Sequence, residues 1–460
     1  MLFNRFATVA CCAVISITCF CQKDISYKFG NITVKDFDVA DSKIVHEDDG
    51  AVILYEAGET HFVGNKNDWF SYVFTCTKRI KILNKKALDL ANVVIRLYKE
   101  DENEEVLSEI KATTFSLNNG NVTSVNMDKT GIFTEQEDKN HLLKKFTLPA
   151  VQEGSIIEYT YKITSPYTFN MPSWQFQSTR YPVLWSEYRV SIPSTLTYTS
   201  IRQGYDSFYI KKGWSGVENY MVTKQAEKGL LGDRDETLNL STGTINYRWV
   251  EKDVKPLEIE SYISSPKNYI DKIEFQLSGT YDGEDKTKVW NTWNVASEEL
   301  LKEDDYQDAI VNDNYWIKDF ADLNGITNQT DVAKYIFKYV QKNYTCTDTS
   351  DIFKFEPLRN VYKNQKGSVR GINLLLIALL RKNSVNAEPA LLSTRENGFI
   401  NPNYPVIDKF NYLICSAIIN GKRYLLDASD ASLGFNQLPD KCYNGYMYIL
   451  LLNLPELRVM

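Results

Sequence analysis

Lys366-Gly-Ser-Val-Arg-Gly-Ile-Asn-Leu-Leu-Leu-Ile-Ala-Leu-Leu-Arg381 decides how the second half of this chain is read. Two glycines, Gly367 and Gly371, lead into the mostly apolar run Ile372 to Leu380. The run is too long for an ordinary strand and too short to span a bilayer, so it predicts a buried central helix over about 371–382. The glycines predict a turn that delivers one side chain to the start of that helix, and that side chain is Val369. Such a start favours an anion, a thiolate included, through unpaired N–H groups and the helix dipole. Valine supplies no nucleophile. Ser368 with Lys366 is the one dyad the turn itself offers, and the simpler reading makes both solvated turn residues.

Outward from this stretch the periodicity is legible. Thr330 to Lys342 predicts an amphipathic helix capped by Thr330, with Val332, Ile336, Tyr339 and Val340 on one face. Lys286 to Leu301 predicts another, packing through Trp290, Trp293 and Leu300. After the central helix the period changes to that of strands: Ala387 to Thr394, then Lys409 to Ile419 and Lys422 to Asp427. The last two are joined by Asn420-Gly421, a hairpin signal because both turn positions need positive φ. Helices followed by an antiparallel hairpin predict an α+β domain over 286–440. Tyr446 to Asn453 reads as a further strand, so 441–460 is expected to be the start of a further strand or a C-terminal extension.

The first half is strand after strand from Gln22 to about Lys255. Trp69 to Cys76, Lys78 to Leu83, Asn92 to Tyr98, Ser155 to Ile163, Tyr188 to Ile192, Ser207 to Ile210 and Ile245 to Val250 carry the pattern. In Ser155 to Ile163 the apolar positions Ile157, Tyr159, Tyr161 and Ile163 share a face. This predicts an all-β, sandwich-like domain or a pair of small sheets over 22–255. The stretch 256–285, with Pro256, Ser264-Ser-Pro266 and Asp282-Gly-Glu-Asp285, is expected to be an inter-domain linker. The 29 tyrosines and 22 phenylalanines fit sheet-rich cores, and the net charge of −7 argues against a general nucleic-acid binder.

The N-terminus predicts a signal peptide over 1–21, with Arg5 as the basic residue, Phe6 to Phe20 as the apolar segment and cleavage before Gln22. The expected location is therefore secreted or periplasmic. Lipid attachment at Cys19 or Cys21 is the weaker alternative, because Thr18 or Phe20 is a poor residue before the modified cysteine. No later stretch is long enough to span a bilayer. Cys76, Cys346, Cys415 and Cys442 remain after the leader, too few and too far apart for a disulfide scaffold, although one or two bridges stay open. With no CxxC pair and no Cys/His cluster, neither structural zinc nor any other metal or cofactor is expected.

Two segments carry a resemblance. Thr75 to Asn84, and Phe146 to Tyr161 followed by Pro182 to Val190, resemble domain of unknown function 3857, a β-rich domain of secreted bacterial proteins found ahead of a transglutaminase-like domain. The second half resembles that transglutaminase-like, papain-related superfamily over about 285–440. The matching elements are the glycine turn, the helix ending Leu379-Leu-Arg381, the strand ending Ser393-Thr-Arg395, Phe410-Asn-Tyr412, and Leu426-Asp-Ala-Ser429. The resemblance implies a cysteine at position 369, a histidine at 412 and an aspartate at 427. The sequence has Val369, Tyr412 and Asp427. A phenol with a pKa of about 10 is no ordinary base at neutral pH.

A second observation does not depend on register. The histidines are His46, His61 and His141, so residues 142–460 hold none and no Cys–His or Ser–His pair can form there. Cys415, three residues after Tyr412 on one strand, points to the other face as a core thiol. Cys346 by default is inert or bridged. The acid cluster Glu303, Asp304 and Asp305 reads as solvated surface, not a carboxylate pair across a groove. The expectation is a non-catalytic transglutaminase-like protein. Ser368, Val369, Tyr412 and Asp427 are its groove candidates, and its ligand would be a peptide, a cell-wall glycan fragment or a partner protein. The alternative is an active amidase, peptidase or transglutaminase with a rearranged site.

Overall fold

The computed structural model describes residues 27–459 apart from 67–68, 101–102, 138–139, 225–234, 262, 283–284, 290, 319–322, 324, 349–354, 407–408 and 452–455. The expected leader, 1–21, and Trp290 lie outside the described residues.

The first half is built on one long, eight-stranded sheet. Its order is Ile210–Lys224, Glu236–Val254, Val183–Pro193, Ala51–Gly64, Phe70–Ile82, Ile156–Ser165, Val106–Asn118 and Asn121–Asn126. Every neighbouring pair is antiparallel except Ala51–Gly64 with Val183–Pro193, which is parallel. The two strands expected at 69–76 and 78–83 are a single strand, Phe70–Ile82.

That strand shows why the sheet is covered. Its even-numbered residues share one face. Phe70, Tyr72, Phe74 and Cys76 enter an aromatic core with Trp174, Tyr188, Trp249 and Phe275. Ile80 and Ile82 enter an aliphatic core with Ile95, Leu97, Phe146 and Ile157. Each core lies under a smaller sheet. One contains Asn92–Glu100 and His141–Thr147; the other contains Leu196–Gln203 and Lys272–Asp282. The sandwich-like expectation therefore takes the form of a large sheet with two small ones on the same face. The stretch 256–285 is not merely a linker. Ile273, Phe275 and Leu277 alternate inward from Lys272–Asp282 and fill the aromatic core, which is why the segment is drawn into a sheet.

Five α-helices are found among the described residues, all in the second half: α1 (Trp293–Leu300), α2 (Asp304–Ile310), α3 (Gln329–Asn343), α4 (Leu358–Asn364) and α5 (Val369–Lys382). The helix expected from Lys286 begins only at Trp293. Residues 285–288 instead extend the small sheet by pairing with Lys272–Asp282, and Thr292 caps α1 through the Val295 N–H at 3.3 Å. The cap of α3 is Asn328, which accepts from the Thr330 N–H at 2.8 Å, rather than Thr330 itself.

Helix α5 is buried from Val369 to Leu380 and is packed by α2, α3 and α4 and by a five-stranded sheet. The sheet order is Lys422–Leu426, Tyr412–Ile419, Asn386–Leu392, Tyr446–Ile449 and Glu456–Val459. Asn420 and Gly421 both have positive φ, 51° and 77°, as the hairpin requires. The further strand expected within 441–460 forms over Tyr446–Ile449. Tyr446–Ile449 pairs with Asn386–Leu392, and Met447 and Ile449 fill the same core as Val369. The two halves touch where Lys409 Nζ donates to Glu274 Oε1 at 2.7 Å and the Phe399 N–H donates to Asn268 Oδ1 at 2.6 Å.

Candidate functional site

The start of α5 is reached differently from the glycine turn that the sequence suggests. Neither Gly367 nor Gly371 has positive φ; the left-handed residue is Gln365 (φ 53°), at the end of α4. Lys366–Ser368 is a short strand parallel to Thr345–Asp348, with Cys346 beside Gly367. The glycines make room for a carboxylate. A Cβ at Gly371 would lie 2.3 Å from Glu356 Oε2, and one at Gly367 would lie 3.2 Å from it.

Glu356 takes the position that favours an anion. Its Oε2 accepts from the Ser368 N–H at 2.9 Å and from the Ser368 hydroxyl at 2.8 Å. Ser368 Oγ in turn accepts from the Gly371 N–H at 3.0 Å, capping the helix. The positive end of α5 therefore faces a fixed carboxylate. A Ser368–Lys366 dyad is not formed: the hydroxyl proton is directed to Glu356, and Lys366 is exposed.

Val369 points into apolar surroundings and is 2% exposed. It packs in a cluster with Ala390, Leu392, Tyr412, Ile414 and Cys442. The fold brings the three aligned positions together. Tyr412 lies in the same cluster as Val369, and its hydroxyl donates to Asp427 Oδ2 at 2.8 Å. Asp427 is fully buried. Its Oδ1 also accepts from Asn373 Nδ2 at 3.0 Å, the Ser429 N–H at 2.9 Å and the Ser429 hydroxyl at 2.6 Å. Asn373 is itself fixed, donating to the Leu413 carbonyl and accepting from the Ala428 N–H, which explains an amide in an otherwise apolar helix. Four donors hold this carboxylate in place, one of them a phenol where an imidazole would orient a nucleophile.

The electrostatics point away from base chemistry. Burial first, and the adjacent Asp427 second, push the Tyr412 phenol well above the usual tyrosine range. Lys441 Nζ sits 4.8 Å from the centre of the Tyr412 ring, on its face. The Cys346 thiol is half-buried and is also pushed up, by burial and then by the nearby Asp427, Asp348 and Glu356 carboxylates. A nucleophilic thiolate needs the opposite surroundings. Cys415 is fully buried on the other face of its strand, in the α5 core, and burial raises its thiol strongly. Burial lifts Cys442 to about 12. All four cysteines 76, 346, 415 and 442 are free thiols, so the bridges left open by the sequence are not formed.

A cleft of about 640 Å³ opens here, lined by Tyr412 and Cys346 together with Lys342, Tyr344, Ser429 and Lys441. Of the four groove candidates only Tyr412 lines it. Val369 and Asp427 lie sealed beneath, and Ser368 is turned toward Glu356.

The solvated reading of the acid cluster needs correction. Asp304 is exposed, but Asp305 is fully buried and its Oδ1 accepts from the buried Arg370 Nη2 at 2.6 Å. Glu303 pairs with the same nitrogen, and the guanidinium stacks 4.6 Å over Tyr306. The residue after Val369 thus clamps the first turn of α5 to α2. The sequence shows these charges without their partners, 65 residues away.

Comparison with known proteins fits this geometry. The family model of domain of unknown function 3857, a domain with a solved structure, matches residues 70–215. No curated protein matches the chain. The crystal structure of "a putative protease from Parabacteroides distasonis" superposes with a TM-score of 0.56 at 13% identity, covering 87% of this chain and 70% of that one. That of "a putative cysteine protease from Cytophaga hutchinsonii" covers 54% and 79% at 12% identity, with a TM-score of 0.18, too low to carry an argument. The chain thus has an N-terminal β-sandwich-like region followed by an α+β region, and it shares its overall fold with that putative protease.

Proposed function

We propose that this chain is an exported, non-catalytic transglutaminase-like protein that binds an extended peptide in the cleft over Tyr412. The observation that carries the reading is the Tyr412–Asp427 hydrogen bond above a sealed Val369. The three positions are assembled, and each has a stable structural role in place of a chemical one. Valine fills the core, the phenol donates to the carboxylate, and the carboxylate is saturated with donors. Acyl transfer needs a nucleophile activated by a base in contact; the thiol of this cleft, Cys346, is pushed up by burial and has no imidazole to pair with in residues 142–460.

The cleft suits an extended chain. Thr345–Asp348 forms one wall and belongs to a two-stranded sheet, the kind of short edge that a peptide extends by main-chain hydrogen bonding. Tyr344, Tyr412 and the stems of Lys342 and Lys441 offer apolar contact beneath polar tips. Export follows from the leader read in residues 1–21 and sets the relevant peptides as those outside the cytoplasm.

The test is calorimetric titration of the purified protein against peptide and cell-wall glycan panels, with Ala431→Trp as the blocking variant. Ala431 is exposed on the cleft rim, so the indole fills the cleft without disturbing the core. Saturable peptide binding that this variant abolishes supports the reading. Peptide hydrolysis or acyl transfer that disappears when Cys346 is alkylated would instead establish the rearranged-site enzyme. Absence of binding across both panels would leave the second half a structural spacer.

A further inference from the structure

A second constellation lies in the β-rich half, far in sequence from the cleft residues. Asp206, Glu251 and Asp271 each place a carboxylate oxygen within 4.8 Å of one from each of the other two. They come from three separate segments: the turn after Leu196–Gln203, the strand Glu236–Val254, and the residue just before Lys272–Asp282. Glu251 is 1% exposed and Asp271 2% exposed. Glu251 Oε2 and Asp271 Oδ1 are buried with no hydrogen-bond partner among the described residues. A buried carboxylate oxygen without a donor is costly, and here two share one site.

The charge does not close. Among the described residues Arg202 is the cation on this cluster, donating to Glu251 Oε1 at 2.9 Å and to the Asp206 carbonyl. With all three carboxylates ionised, one guanidinium would leave two negative charges unbalanced. Lys272, next to Asp271 in the chain, is turned instead to Glu274 at 3.0 Å. The backbone is shaped for close approach. Gly204 has a φ of 116°, and a Cβ there would fall 1.1 Å from Asp271 Oδ1. The Asp206 N–H then reaches Asp271 Oδ2 at 3.3 Å. A cavity of about 530 Å³ adjoins the cluster, and Asp206, Asp271, Glu258 and Glu260 are among its lining residues.

We propose that Asp206, Glu251 and Asp271 form a binding site for a hard divalent cation of the calcium class. An all-carboxylate donor set selects oxygen-seeking cations over zinc or copper. Two oxygens on opposite sides of a calcium ion at about 2.4 Å lie at most about 4.8 Å apart, and the three carboxylates fall within that limit. Magnesium requires a tighter, near-octahedral shell that three unequally buried carboxylates match less well. The cation would balance the residual charge and give both orphaned oxygens a partner. It would also tie the Leu196–Gln203 turn and the Lys272–Asp282 strand to Glu236–Val254 of the large sheet.

The experiment strips the full-length protein with a chelator and titrates calcium chloride by calorimetry and by thermal unfolding. Terbium luminescence, sensitised by Tyr205 and Tyr269 at the adjoining cavity, reports the location of the ion. Saturable binding of about one ion is expected, with a Tm rise of about 5 °C or more at a hundredfold excess over Kd. Asp206→Asn, at an exposed position that keeps its backbone contact to Asp271, should fold normally and lose at least tenfold in calcium affinity and in terbium signal. Glu251→Gln should lose binding also. The proposal is overturned if calcium gives no saturable heat and no Tm shift beyond that of sodium chloride at equal ionic strength. It is equally overturned if Asp206→Asn binds calcium unchanged.

Discussion

Replacing Tyr412 by phenylalanine removes one oxygen and leaves the ring in its cluster with Val369, Leu392 and Ile414. No cavity of consequence is created, so the cost isolates the hydrogen bond to Asp427. A bond to a charged acceptor contributes about 1.5–3 kcal/mol. Asp427 retains three donors, from Asn373 and from Ser429 twice, so it is not stranded. For a folded unit of the size of the second half this corresponds to a Tm lowered by about 3–12 °C. Differential scanning calorimetry of wild type and Tyr412→Phe reads the shift directly. Repeating the substitution in an Asp427→Asn background makes a double-mutant cycle. There the phenol meets a neutral acceptor, and because charge-assisted bonds are roughly twice as strong as neutral ones, the cost should fall to about half. A Tm change below about 1 °C, or an equal cost in both backgrounds, would mean that the phenol does not hold the carboxylate, and the structural assignment of these positions would fail.

Substituting Arg370 alone by methionine leaves the buried Asp305 without its cation and should cost about 3–5 kcal/mol by urea denaturation; a loss under 1 kcal/mol would show that the pair is not buried as described. Alkaline pH should destabilise the protein in a defined window. Burial holds Tyr159 up to about 12, and Tyr188, Tyr306 and Tyr412 higher still. Their folded pKa values exceed the unfolded value of about 10, so their contribution is intact below pH 10 and is lost as pH rises through 10 to 12. Phenolate absorbance followed alongside circular dichroism should show these tyrosines ionising only with unfolding, and reversible titration of all of them near pH 10 in the folded state would contradict the burial. Cys346, raised by burial and flanked by carboxylates, should react with iodoacetamide more slowly than a free thiol at neutral pH, with Cys415 and Cys442 inert until denaturation; rapid alkylation of Cys346 would reopen the enzymatic reading.

How far the sequence could be read depended on the range of each interaction. Helix α5, the Asn420-Gly421 hairpin and the opposite facing of Tyr412 and Cys415 follow from periodicity and turn chemistry within about a dozen residues, and the structure keeps them. The role of the glycines did not follow. Gly367 and Gly371 read as a turn because glycine is the usual residue of turns, whereas Gly371 is needed by Glu356 and Gly367 is crowded by Val361 as well as Glu356, approaches that only the packed chain reveals. Asp305 read as surface because acidic residues are rarely buried unpaired, and its partner Arg370 lies 65 residues on.

The sequence by itself determined that the second half cannot assemble a histidine-based nucleophile. Residues 142–460 contain no imidazole, and no fold can supply a side chain that the chain lacks. It also determined the order of β-rich and α+β halves, because hydrophobic period is a local property. Tertiary structure decided the rest. It placed Val369 in one cluster with Tyr412 and bonded Tyr412 to Asp427, gave the helix start to Glu356, drew residues 272–282 and 446–449 into sheets, and gathered Asp206, Glu251 and Asp271 from three segments. The physical reason is the same in each case. Burial and charge compensation are properties of a site in space, and a site built from distant segments leaves no periodic trace in any one of them.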